Sequence, residues 1–251
     1  MQIIDCFCGL GRWRSRDKLL PYEPQEILKL MDHFGIARAL VFSNMGAEHG
    51  PLAQSNQVVA DAAAQSDRFI PAFILAPPTP AEPRSTEQVT AELRLGGARA
   101  AWMWPQTGRQ GHGLHQWLVG DLLDLCVQHR LPLFLYIEGI EPDTIHRVCT
   151  DFPALRLVVT GIGYAADQWL FPLLRQHENV YVSLGHFYIP ASGPRTFIDT
   201  FGDERLLFGS GLPHFSPGGV IAHVMYAAIP DGSKEKLLGG NLERLLSEVK
   251  L

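Results

Sequence analysis

The chain has 251 residues, a formal net charge of −5, 46% hydrophobic and 19% charged residues. At roughly 100–200 residues per domain this allows one large domain or two small ones, and it excludes disorder, collagen and coiled coil. A sequence pI near 6.0 argues against a nucleic-acid partner, and a mean hydropathy of +0.03 without an apolar run of about 18 residues leaves no membrane span.

Short apolar runs rich in branched and aromatic residues alternate with longer amphipathic stretches. In chain order, a strand over 2–8 precedes a helix over 24–34, a strand over 38–43 a helix over 52–66, and a strand over 69–75 a helix over 86–96. The pattern repeats with strands at 99–104, 131–137, 156–161, 180–185 and 205–210, and helices at 115–129, 141–150, 166–177, 194–202 and 216–228. A last helix covers about 233–249. Ser85 with Gln88 three residues later is a capping box for the helix near 86.

Continuous apolar strands imply burial on both faces and a parallel sheet. Eight strand–helix units in a chain of this length predict an α/β fold, a (β/α)8 TIM barrel, as one domain over residues 1–251. An open doubly wound sheet shares the alternation, but neither a GxGxxG turn after the first strand nor a P-loop is present. The start MQIIDCFCGL reads as a strand rather than a cleavable leader, so a cytoplasmic protein is expected. Cys6, Cys8, Cys126 and Cys149 lie in apolar segments without a CxxC pair, which predicts buried reduced thiols.

The stretch DERLLFGSGLPHFSPGG, followed by DGSKEKLLGGNLERLL, is similar to the end of the amidohydrolase-related family. Lys236, Leu237, Leu238, Asn241 and Leu245 fit its closing helix. IIDCFCGLG resembles the family's Ile-Asp-x-His-x-His opening, LPLFLYIEG its fifth strand and FPALRLVVTGIG its sixth. The resemblance spans essentially the whole chain. It implies a metal-dependent TIM barrel related to hydrolases and to decarboxylases of aromatic acids. It also implies metal ligands at five places: two His on strand one, one His each on strands five and six, and an Asp on strand eight. By register those places hold Phe7, Gly9, Tyr136, Gly161 and Gly211. Glycine and phenylalanine have no donor and a neutral tyrosine is a poor one, so the expected metal site is absent and no cofactor is expected.

Strand alternation places Asp5, Phe7 and Gly9 on the inward face, with Cys6 and Cys8 toward the helices. Trp102, Trp104, Tyr136 and Phe7 should rim the catalytic end of the barrel, either filling the vacated space or lining a pocket. Glu138, enclosed by these rings, is the candidate general acid or base through desolvation. His186 and His214 fall in loops at the same end, and Asp5 matches the acidic residue before the family's two His. The His112-x-x-His115 spacing, the Gly9-Leu10-Gly11 turn, the basic run 12–18 and Ser210 complete no further motif.

Two classes of function follow. One is a family barrel that has lost its metal and binds a small aromatic or carboxylated molecule, or serves as a partner subunit, including in a homo-oligomer. The other is a metal-independent lactone or ester hydrolase, or a decarboxylase or other lyase, using Glu138 with His186 and His214.

Overall fold

The computed structural model describes residues 1–13, 20–48, 51–163, 166–185, 188, 190 and 193–251. The strands are β1 (Ile3–Leu10), β2 (Ile36–Ser43), β3 (Phe69–Ile74), β4 (Ala100–Met103), β5 (Leu133–Tyr136), β6 (Leu157–Thr160), β7 (Val180–Leu184) and β8 (Leu206–Phe208). They pair in parallel in sequence order from β1 to β8. Closure between the ends comes from Gly9 N–H donating to Leu212 O at 2.8 Å and Gly211 N–H to Phe7 O at 2.9 Å. The expected (β/α)8 barrel is the observed fold.

The helices that return each strand are α1 (Pro24–Phe34), α3 (Leu52–Gln65), α4 (Thr86–Leu95), α5 (Gln116–Gln128), α6 (Pro142–Asp151), α7 (Asp167–Gln176), α8 (Pro194–Phe201) and α9 (Gly218–Met225). A short α2 (Asn44–Glu48) after β2 was not foreseen. The capping box on α4 forms as expected: Ser85 Oγ accepts from Gln88 N at 3.3 Å, and Gln88 Oε1 from Ser85 N at 2.8 Å. None of the helices among the described residues is long and apolar enough to cross a membrane. All four cysteines are free and buried.

The single closing helix expected over 233–249 is three segments: α10 (Asp231–Glu235), a π-helical turn (Lys236–Gly240) and α11 (Asn241–Ser247). The widened turn lets the chain press against β1. A Cβ on Gly239 would stand 2.6 Å from the carbonyl oxygen of Gln2. Beyond the turn, Asn241 donates to the carbonyls of Asp203 and Leu206 at the start of β8, and Leu242, Leu245 and Leu246 seal the barrel floor.

Two apolar layers result. Cys8, Val41, Met103, Leu135, Val159 and Val182 pack against the helices, whereas Ile4, Cys6, Phe42, Trp102, Phe134 and Val158 fill the barrel. Cys6 thus corrects the alternation read from the sequence. From Asp5 to Cys8 three steps on β1 match only two on β2, from Ala39 to Val41. This bulge breaks the two-residue period, so Cys6 and Phe7 both join the interior cluster. Cys6 Sγ lies 3.4 Å from Ser183 Oγ, while Cys8 faces the helices as expected.

Candidate functional site

TIM-barrel chemistry is carried at the C-terminal ends of the strands. At that end Phe7 lies among rings from three other strands. Its centroid is 5.6 Å from Phe42, 4.9 Å from Trp102, 6.1 Å from Trp104 and 6.1 Å from Tyr136. Trp102 stacks on Trp104 at 5.5 Å and on Phe134 at 5.2 Å, and Trp104 stacks on Tyr136 at 4.4 Å. These offset contacts are favourable beyond the area they bury. The structure therefore brings Trp102, Trp104, Tyr136 and Phe7 together, packed on one another.

The glycines at 9, 161 and 211, where the resemblance places ligands, are crowded by neighbours. A Cβ on Gly9 would run into the side chain of Asn44, one on Gly161 would meet Tyr136 Cε2 at 2.5 Å, and one on Gly211 would meet Phe215 Cδ2 at 2.7 Å. Asn44 is fastened by its Nδ2 donating to Gly11 O at 2.7 Å. Gly161 and Gly211 also have φ of +68° and +73°, a region that favours glycine. Between Phe7, Gly161, Ser183 and Gly209 remains a cavity of about 20 Å³, room for about one water. Across the five places the side chains offer one oxygen, the Tyr136 hydroxyl, which donates to Glu138 Oε2 at 2.6 Å. Among the described residues no three His, Cys, Asp or Glu side chains gather into a metal-holding group. This donor set does not fit a divalent ion bound as zinc sites bind it.

Glu138 departs from its expected setting. It is exposed, because β5 ends at Tyr136 and the chain is already turning outward; the enclosing rings lie below it. His214 is half-buried between Trp13 and Tyr22, with centroid separations of 5.3 and 5.7 Å. Glu138 accepts from the Tyr136 hydroxyl, and the groove it lines does not include His214. His186 lies outside the described residues, as do 14–18 of the basic run. Asp5 is fully buried. It accepts from Phe7 N at 2.9 Å, from Ser210 N at 2.8 Å and from Ser210 Oγ. Burial pushes its pKa up to about 6 against the lowering effect of those hydrogen bonds. Ser210 thus serves Asp5. His112 contacts Gly113 O and Gln110 Oε1, whereas His115 stacks near Trp117, so this pair does not converge on a metal.

Sequence reasoning missed Asn44, Phe215 and Arg109. The Arg109 guanidinium lies 4.4 Å over Trp13 and 5.7 Å from the Trp104 ring, with Nη1 3.7 Å from Glu48 Oε1. Their only signal in the sequence is placement after β2, β8 and β4 respectively, at the C-terminal ends of the strands. Beside the aromatic cluster, a groove of about 360 Å³ opens over the ends of β5 and β6, lined by Glu138, Ile140, Gly161, Ile162, Gly163 and Trp169 among others.

An eight-stranded parallel barrel with its helices outside defines a TIM barrel. The family model for the amidohydrolases matches residues 14–247, and the chain belongs to that family. Solved structures agree in fold. An uncharacterized TIM-barrel protein from Bordetella bronchiseptica superposes with a TM-score of 0.75 at 19% identity, over 99% of each chain. A 2,6-dihydroxybenzoate decarboxylase complexed with 2,6-dihydroxybenzoate gives 0.72 at 15% identity, over 98% of this chain and 100% of that one. A 5-carboxyvanillate decarboxylase from Novosphingobium aromaticivorans, complexed with manganese and 4-hydroxy-3-methoxy-5-nitrobenzoic acid, gives 0.73 at 15% identity, over 98% and 96%. No curated protein matches the sequence.

Proposed function

We propose that this chain is an amidohydrolase-family barrel, one domain over its whole length, that has given up the family's metal centre. On this reading it holds a small organic molecule in the groove beside Tyr136 and Glu138. The observation that carries it is the refilling of the ligand places: Asn44, Tyr136 and Phe215 take the volume that side chains at 9, 161 and 211 would need. A ligand lost by one substitution can be regained by one. Three sites closed by packed neighbours cannot, because core volume does not open without cost. The groove, at about 360 Å³, is of the size that holds small ligands, and the decarboxylases of like fold hold substituted benzoates.

Elemental analysis of the purified chain tests the first half. Zinc, manganese and iron are expected well below one per chain. A stoichiometric divalent metal required for turnover would refute the reading.

A second reading, a metal-independent lyase or hydrolase, is favoured by the 2.6 Å hydrogen bond from the Tyr136 hydroxyl to Glu138. A phenol donating to a carboxylate at the edge of a groove can hold or deliver one proton, which decarboxylation or ester cleavage needs. Here Glu138→Gln lowers turnover of an active preparation roughly a hundredfold. A fall of under about threefold removes Glu138 from the chemistry.

A further inference from the structure

The groove over β5 and β6 carries a charge of the wrong sign for an aromatic acid. Its apolar surface comes from Ile137, Ile140, Ile162 and Trp169, and among the described residues lining it Glu138 is the one ionisable side chain. Glu138 Oε2 accepts the Tyr136 hydroxyl; the side chain is exposed, and none of the described residues donates to Oε1. A benzoate in this groove would lie beside a carboxylate with no described cation among the lining residues. An ammonium would find a carboxylate on one side and an indole wall on another, the two features that hold such cations.

We infer that the groove takes a cationic ligand: a primary or methylated ammonium, or an amidinium, on a small apolar or aromatic body. This rests on the reading that the barrel mouth holds a small molecule, and it sets the sign of charge opposite to that of the benzoates bound by the neighbouring decarboxylases. For an exposed carboxylate the pairwise effect is modest. Passing from repulsion to attraction doubles it, so the preference for cation over anion is about tenfold at low salt.

The test is titration of the full-length chain with benzylammonium, benzyl alcohol and benzoate, three probes of one size, followed by ligand-observed NMR. Benzylammonium is expected to bind about tenfold tighter than benzoate, with the alcohol between, and the spread to shrink as salt is added. In Glu138→Gln the three affinities converge. Gly163 has open space over its Cα and no left-handed backbone, so Gly163→Leu fills the groove without strain and weakens all three. Benzoate binding as tightly as benzylammonium would overturn the charge assignment while leaving a small-molecule site. A preference that survives Glu138→Gln, or binding untouched by Gly163→Leu, overturns the assignment to this groove. No binding by any probe overturns it together with the reading on which it rests.

Discussion

The ring of Tyr136 stands where a side chain at position 161 would be, 2.5 Å from the point at which a Cβ on Gly161 would lie. The ring is held there by its stack on Trp104 at 4.4 Å and by the hydrogen bond to Glu138. Gly161→Ala therefore meets two costs, a clash with the ring and a β-carbon at a φ of +68°. Together they are expected to remove about 1–3 kcal/mol of stability. In a Tyr136→Ala background the clash disappears and only the backbone part remains, so the two losses should fall short of additive in urea unfolding. Strict additivity would mean that the ring does not own that space.

The aromatic cluster is expected to behave as core. Trp102 is fully buried against Phe7, Phe42, Trp104 and Phe134, and Trp102→Ala should cost about 3–5 kcal/mol by the usual cavity penalty. Tyr136→Phe removes the hydroxyl that donates to an exposed carboxylate and should cost less than about 1 kcal/mol. Denaturant midpoints at constant m-value separate the two. A loss below about 1.5 kcal/mol for Trp102→Ala would show that a ligand or solvent, rather than the neighbouring rings, fills the barrel.

The barrel was legible because each strand is a short apolar run buried on both faces. The helix over 24–34 and the capping box at Ser85 could be placed to the residue for the same local reasons. The inward face of β1 was not legible. A bulge is set by pairing with β2, and nothing in IIDCFCGL announces it, so Cys6 was assigned to the wrong side. That positions 9, 161 and 211 are glycines could be read from the letters. That Asn44 and Phe215 close two of those places could not, since this depends on where α2 and the turn after β8 fall in space. The enclosure expected for Glu138 is not found, for a related reason: two residues past Tyr136 the strand has ended, and alternation no longer says which way a side chain points.

Asp5 gives a pH dependence of known sign. Its pKa in the folded chain is about 6 against an ordinary value of 3.8, with burial the largest cause. Between those values the folded chain holds a proton that the unfolded chain has released, so stability falls as pH rises through this window. A shift of this size corresponds to about 3 kcal/mol, lost between roughly pH 4 and 6 and absent from stability above it. Asp5→Asn imitates the protonated form and should flatten that part of the curve. The difference between wild type and Asp5→Asn in urea unfolding at pH 4.5 and 6.5 isolates the contribution. A wild-type curve that rises more steeply than that of Asp5→Asn over the same interval would contradict the sign.

Metal addition and removal offer the last prediction. An ion held by the native chain and not by the unfolded one stabilises by RT ln(1 + [L]/Kd), about 4 kcal/mol at a thousandfold excess over Kd. On the proposal that Phe7, Gly9, Tyr136, Gly161 and Gly211 stand at the places the resemblance gives to metal ligands, neither a chelator nor millimolar manganese or zinc should move the thermal midpoint by way of the barrel mouth. The same geometry predicts failure of the simplest attempt to restore a site. Gly161→His and Gly211→Asp would return two donors, yet each side chain would start inside a ring, that of Tyr136 or Phe215, and on a left-handed backbone. The double variant should therefore lose stability without gaining metal affinity in calorimetric titration. Tight manganese binding by it would show that those rings yield more readily than packed aromatic side chains ordinarily do.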